Sequence, residues 1–255
     1  MAGPRLRIGT SGWSYPDWVG PFYPTGRLPR DFLACHSQHF GAVEIDSTLD
    51  RIPTAEMVDV WNTTTPETFR FALKVRQAIT HEKRLQKCAA ELDAFFSVKR
   101  RLRLKLGSLV FQFDASFRVD SSPLLADFLA GLPSDLRYTV EVRHRGWLCD
   151  TISRLLENRR TALVLADLYY MPRLDWVMTD LAYIRLHGKR SAIPDDFGRV
   201  RLDRDPEPPV WAVRVRESLG RGLTVFAFAN NCFRGHCPAT ARALLAKATG
   251  VASEL

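Results

Sequence analysis

Short apolar runs recur along the chain, each followed by a polar or helix-patterned segment. The runs cover residues 6–9, 42–45, 71–75, 109–113, 138–142, 162–166, 182–186 and 223–228. Runs of four to six residues bounded by turn signals suit strands buried on both faces. Between them lie stretches with helical spacing, at 30–40, 54–61, 82–106, 123–132, 151–158, 209–219 and 238–249. Thr54 is a plausible N-cap, with Met57, Val58 and Trp61 on one stripe. In the long 82–106 stretch, Leu85, Cys88, Ala89, Leu92, Phe95 and Phe96 share a face. Pro123 opens its helix, and Gly250 follows the last one as a C′ residue. Strands alternating with helices predict βαβ units and a parallel sheet. Eight such strands in a chain of 255 residues match the count of a (β/α)8 TIM barrel, read here as a single domain over 1–255. A doubly wound open sheet is the alternative. It calls for a glycine-rich phosphate turn after an early strand, and Gly9-Thr10-Ser11-Gly12 lacks the G-x-G-x-x-G and P-loop spacings.

Composition narrows this picture a little. With 46% hydrophobic and 25% charged residues the chain is neither disordered nor fibrous. No apolar stretch approaches the roughly 20 residues of a membrane-spanning helix, and no signal-like segment precedes the first run. Five cysteines at irregular spacing do not form a disulfide framework, so a cytoplasmic location is expected. The net charge of +8 fits nucleic acid, an anionic metabolite or an arginine-rich genome, since only seven of the 36 basic residues are lysine.

Candidate chemistry follows from the barrel. Its reactions take place at the C-terminal ends of the strands, where residues two apart share a face. Strand two ends with Glu44 and Asp46, strand three with Lys74 and Arg76, and strand four with Gln112 and Asp114. Strand five carries Glu141 and Arg143, strand six Asp167, strand seven Arg185 and His187, and strand eight leads to Asn230 and Asn231. Charges inside apolar runs are costly alone, so these groups are expected to converge and pair in one mouth. Glu44, Glu141 and Asp167 are candidate general acids and bases, and His187 a proton shuttle near neutral pH. Lys74, Arg143 and Arg185 suit an anion, with an anion site expected between Lys74 and Arg185; Gln112, Asn230 and Asn231 add polar contacts. Trp13 and Tyr15, after the first strand, could line the mouth or cap the core, as could Trp18 and Trp147.

No metal site and no cofactor are expected. Cys35-x-x-x-His39 sits in a helical pattern and Cys232-x-x-x-His236-Cys237 in a loop, neither with a partner at zinc-finger spacing. A cation held by Glu44, Glu141, Asp167 and His187 would be repelled by Lys74 and Arg185. The basic run from Lys99 to Lys105 reads as a solvated helix end on the opposite face of the barrel.

The chain resembles the YecE-like family, a TIM-barrel family of the domain-of-unknown-function class. The resemblance rests on Ile8-Gly9-Thr10-Ser11-Gly12-Trp13-Ser14-Tyr15, Phe22-Tyr23-Pro24, Val43-Glu44-Ile45-Asp46-Ser47-Thr48 and Thr80-His81, in that order. Further along come Glu141-Val142-Arg143-His144 with Trp147, Tyr183-Ile184-Arg185-Leu186-His187-Gly188 and Asn230-Asn231. It implies the barrel and a polar mouth. It also implies a distant similarity to the barrel superfamily of metal-dependent endonucleases and sugar isomerases, hence a nucleic-acid or sugar-phosphate ligand. The chain departs from the family pattern at Leu49-Asp50-Arg51, at Phe113-Asp114 after Gln112, and at Ala229.

Three functions remain open on the sequence: an enzyme acting on a small anionic or sugar-like ligand, a nucleic-acid-binding or nucleic-acid-processing protein, and a non-catalytic ligand sensor. Enclosure of the mouth by residues 13–23 and 189–204 favours the small ligand. An open basic groove favours nucleic acid. No membrane partner is expected, and the oligomeric state is not readable.

Overall fold

The structure is a computed structural model that describes residues 5–204 and 207–250. Its strands β1 (Leu6–Ser11), β2 (Ala42–Ile45), β3 (Arg70–Lys74), β4 (Leu106–Gln112), β5 (Tyr138–Glu141), β6 (Ala162–Leu168), β7 (Leu181–Gly188) and β8 (Thr224–Ala229) run parallel and close into a barrel in sequence order. β1 completes the ring by pairing with β8, Leu6 opposite Val225 through Thr10 opposite Ala229. The (β/α)8 barrel expected from the strand count is the fold, and the open sheet is excluded. Residues 1–4, 205–206 and 251–255 of the expected domain lie outside the described residues.

Alternation along each strand sorts side chains between two cores. Ala42, Ala72, Val110, Ala162, Val164, Tyr183, Phe226 and Phe228 fill the barrel interior. Small residues on β2, β3 and β6 make room for the rings of β7 and β8. Tyr183 and Phe228 lie 5.4 Å apart, and Phe226 and Phe228 6.1 Å. Gly9 is part of that fit: a Cβ there would stand 1.9 Å from the Ala42 carbonyl oxygen. The opposite faces, including Val43, Ile45, Phe71, Leu73, Phe111 and Val140, pack against the helices. Each large apolar side chain so buried contributes about 1.5–3 kcal/mol.

The helices are α1 (Phe32–His39), α2 (Ala55–Thr64), α3 (Ala89–Leu102), α4 (Ser122–Ala130), α5 (Asp150–Asn158), α6 (Glu207–Gly220), α7 (Asn231–Arg234) and α8 (Cys237–Thr249). Thr54 caps α2, its hydroxyl accepting from the Met57 amide at 3.3 Å. Gly250 ends α8 in the left-handed region. The long helix expected over 82–106 is shorter at both ends. A π-turn at Ala78–Glu82 is followed by Arg84, Leu85 and Lys87 at positive φ, and Arg103 at φ 50 stops α3. Leu85 and Cys88 do face the core, but from that turn. Lys105, expected in solvent, is buried. Its ammonium donates to the carbonyls of Asn62 at 2.5 Å and Thr65 at 2.7 Å, closing the C-terminus of α2.

Between β6 and β7 the described residues form no helix. An extended strap over 169–180 covers the gap, burying parts of Leu174, Trp176, Val177 and Met178.

Candidate functional site

The inward-facing polar ends of β2, β3, β4, β5 and β7 meet at the C-terminal mouth, and Arg185 on β7 is the hub. Its Nε and Nη2 donate to Glu44 Oε1 at 3.0 and 2.7 Å. Nη1 donates to Gln112 Oε1 at 3.2 Å and to Glu141 Oε2, and Nη2 also reaches Asp46 Oδ1 at 3.4 Å. Every donor of this buried guanidinium is used. Glu44 is equally occupied: besides Arg185 it accepts from Ser11 Oγ at 2.8 Å and Tyr183 Oη at 2.7 Å. Burial and the neighbouring Glu44 hold Tyr183 well above its usual pKa, so it remains a donor. Glu44, read in the sequence as an acid–base group, is thereby a fully bonded structural carboxylate.

Asp46 answers the expectation of an anion between Lys74 and Arg185. Its own carboxylate stands there, 3.1 Å from Lys74 Nζ and 3.4 Å from Arg185 Nη2. Burial alone would raise its pKa, but Lys74 and then Arg185 pull it below the usual value. The mouth therefore sets Glu44, Asp46 and Glu141 against Lys74, Arg143 and Arg185, with no net charge.

Two groups are left with open valences. Glu141 accepts from Arg143 Nε at 2.8 Å and lies 3.2 Å from His187 Nε2. Burial opposes ionisation of Glu141, but Arg185, then His187 and Arg143, hold it well below the carboxylate range. His187 is lowered from 6.5, first by burial and then by Arg185, so the imidazole is neutral at pH 7. An ionised carboxylate can only accept, so Nε2 carries the proton and Nδ1 presents a lone pair, with no protein partner among the described residues. Arg143 offers its terminal nitrogens in the same way, bonded to Glu141 through Nε alone. This pairing orients a base as a triad carboxylate orients its histidine.

Above this layer is a cavity of about 320 Å³. Lys74, Gln112, Arg143, Arg185, His187 and Asn230 line it, together with Asp46, which the sequence grouped with them as a strand-end carboxylate, and with Tyr169, Tyr170, Arg190 and Cys232, which it did not select. Tyr169, on the strap, is 64% exposed and stands edge-on to Tyr170 at 5.0 Å. No period-2 signal marks these two tyrosines, because they follow the strand end.

The other expected site residues lie elsewhere. Asp167 points outward from β6, accepting from Trp211 Nε1 on α6 at 3.1 Å and pairing with Arg173 at 3.1 Å. The inward positions of β6 are Ala162, Val164 and Ala166. Trp13 packs edge-on to Trp61 at 5.6 Å, and Tyr15 against Trp18 at 4.6 Å and Phe197 at 5.8 Å. Neither lines the cavity. Trp147 is a core residue whose indole donates to the Phe117 carbonyl at 2.6 Å. Residues 13–23 and 189–204 do meet, through Tyr15, Phe197 and the Asp17 carboxylate that accepts from the Phe197 amide at 3.0 Å. Cys232, placed in a loop by the sequence, sits in α7, where Asn230 Oδ1 caps its amide at 2.9 Å. Asn231 Oδ1 accepts from the Cys237 amide at 3.0 Å and so ties α7 to α8 rather than facing the mouth. Among the described residues no three His, Cys, Asp or Glu side chains are grouped to hold a metal ion, and no helix is long and apolar enough to cross a membrane.

The model of a family described as "Protein of unknown function DUF72" matches residues 7–254. The UPF0759 protein YecE of Escherichia coli K12 is 33% identical over 167 residues, covering 64% of this chain and 59% of that protein. The UPF0759 protein YunF of Bacillus subtilis strain 168 is 29% identical over 149 residues, 56% of this chain and 52% of that one. The matched segments thus span less than two thirds of these relatives. Among solved structures, a DUF72 family protein from Thermotoga maritima MSB8 superposes with a TM-score of 0.78 at 25% identity, over 92% of this chain and 96% of that one. One from Enterococcus faecalis V583 gives 0.79 at 20% identity, over 98% and 97%, a likeness of fold.

Proposed function

The chain belongs to the DUF72 family, which carries the barrel but no named reaction, and from the geometry of its mouth we propose an enzyme that moves a proton on a small anionic or sugar-like ligand. The observation that supports this best is the Glu141–His187 pair: a neutral imidazole on the cavity wall, oriented by a buried carboxylate, with Nδ1 unpartnered among the described residues. His187 takes the proton. Arg143 and the unused donors of Lys74 anchor a phosphate or carboxylate on the ligand. Gln112 Nε2 and Asp46 are placed for hydroxyl groups, and the exposed face of Tyr169 suits the apolar side of a sugar ring. The cavity volume is at the small end of ligand sites, which fits a metabolite of this size.

The test is a panel of sugar phosphates and sugar acids in deuterium oxide, followed by proton NMR for exchange of a ligand C–H. One member should exchange, and His187→Gln should slow it by about 10²–10⁴-fold while the ligand still binds. If no member shifts the His187 resonances or exchanges, the reading fails. The nucleic-acid alternative is separated from it by salt dependence, as argued below.

A further inference from the structure

At the opposite, N-terminal end of the barrel stands a charge with no counter-charge among the described residues. Arg7 on β1 shares the inward parity of Gly9 and Ser11, and Arg70 on β3 that of Ala72 and Lys74. The Arg7 side chain is 5% exposed and makes no hydrogen bond or ion pair among the described residues. It folds past Gly41, whose missing Cβ would sit 3.7 Å from its Nη1. The group acting on it is another cation, Arg70, which is itself bonded only to the carbonyls of Glu67 at 2.8 Å and Phe69 at 2.9 Å. The Glu67 carboxylate, whose charge acts on Arg70, is 91% exposed and 3.7 Å from Lys105. Two neighbouring guanidinium groups that face no carboxylate among the described residues repel each other, and the Arg7 nitrogens are not sealed from solvent, so an anion can reach them.

We propose that Arg7 and Arg70 form an anion site at the base of the barrel, taking a phosphate-type oxyanion, free or as the phosphoryl group of an organic ligand. Guanidinium forks suit that geometry bidentately. The site is separate from the mouth: Arg70 and Lys74 are four residues apart on β3, about 13 Å along the strand.

The experiment is thermal unfolding of the full chain at constant ionic strength, with inorganic phosphate replacing chloride. At a tenfold excess over Kd, Tm should rise by about 3 °C. Arg143→Met, which removes one of the two mouth cations with donors to spare, should keep a phosphate-dependent rise, and adding Arg7→Met should abolish it. Without phosphate, Arg7→Met should unfold at or above the wild-type Tm, because deleting an unpaired charge relieves its desolvation. Should that variant not fold, Arg7→Lys keeps the charge, loses the fork and should show a reduced rise. Methyl phosphate matching or exceeding inorganic phosphate identifies a phosphoryl group as the ligand, and a weaker response identifies the free oxyanion. A rise lost in Arg143→Met alone, unchanged by Arg7→Met, or absent from the wild type would overturn the proposal.

Discussion

Arg185 and His36 show how much of this chain's behaviour hangs on single buried groups. Arg185 neutralises Glu44, Glu141 and Asp46 at once, so Arg185→Met strands carboxylates in the barrel. Its effect is therefore on stability: urea unfolding at pH 7 should show a loss of about 3–5 kcal/mol, reduced when Glu44→Gln is added. A loss below about 1 kcal/mol would mean the network is not neutralised as described. His36 is buried beside Phe40, its Nε2 2.8 Å from Thr10 Oγ1 and its Nδ1 without a partner. Burial, and then His39, push its pKa down to about 3 from 6.5. The unfolded chain thus binds a proton that the folded chain resists. Stability from this group is complete above pH 6.5 and falls by about 1.4 kcal/mol per unit as the pH drops toward 3. His36→Phe should flatten the fall between pH 6.5 and 5, a window above that of Glu141 and Asp46, and equal slopes for both proteins would refute it. The sequence brought Glu44, Lys74, Gln112, Glu141 and Arg185 into view because each interrupts an apolar run. It placed Asp167 with them because residue type carries no parity. Only the register of β6, with Ala162, Val164 and Ala166 inside, turns that carboxylate to α6.

At the level of elements, the strands were legible and the connections less so. The short continuous apolar runs put all eight strands within a few residues of place, since parallel strands buried on both faces are marked by composition. The 82–106 stretch read as one helix because Leu85 and Cys88 keep helical spacing although they are buried from a turn, and backbone at positive φ leaves no mark on Arg84 or Lys87. The single turn of α7 was missed because four residues hold too little periodicity. It depends on Gly188, at φ +69 after His187, where a Cβ would lie 2.2 Å from the Cys232 carbonyl oxygen and 2.5 Å from Phe233 Cα. Gly188→Ala should cost about 2–4 kcal/mol from the left-handed backbone and the overlap together. Ligand binding should weaken with it, as Asn230 shifts with α7. Wild-type stability in that variant would show that α7 moves aside freely.

For the whole molecule, the distribution of charge sets what each function left open by a net +8 would show in solution. With Arg190 paired to Asp195, the mouth is internally neutral. Arg185 is spent and Arg190 is engaged by Asp195 and the Ile193 carbonyl, which leaves Lys74 and Arg143 to meet a phosphate. Two phosphate contacts give a log–log salt slope near −1.8, about a tenfold loss of oligonucleotide affinity between 50 and 200 mM salt, against 10³–10⁵ for six to ten contacts. Fluorescence titration of labelled single-stranded and duplex oligonucleotides at both salts should show weak binding and this shallow slope. Submicromolar binding at 200 mM would replace the metabolite by nucleic acid. The strap over 169–180 adds a kinetic side to the same site. Among the described residues its amides from Leu174 to Asp180 donate to no backbone carbonyl, so no helical ladder holds that stretch. Its amide protons should exchange with solvent far sooner than those of the flanking β6 and β7. Tyr169 and Tyr170, at the start of the strap and tied down by Arg145 at the Tyr170 carbonyl, set the aromatic rim of the cavity beside this less bonded stretch. Ligand entry and escape can then proceed by local fluctuation while the ring of strands stays shut.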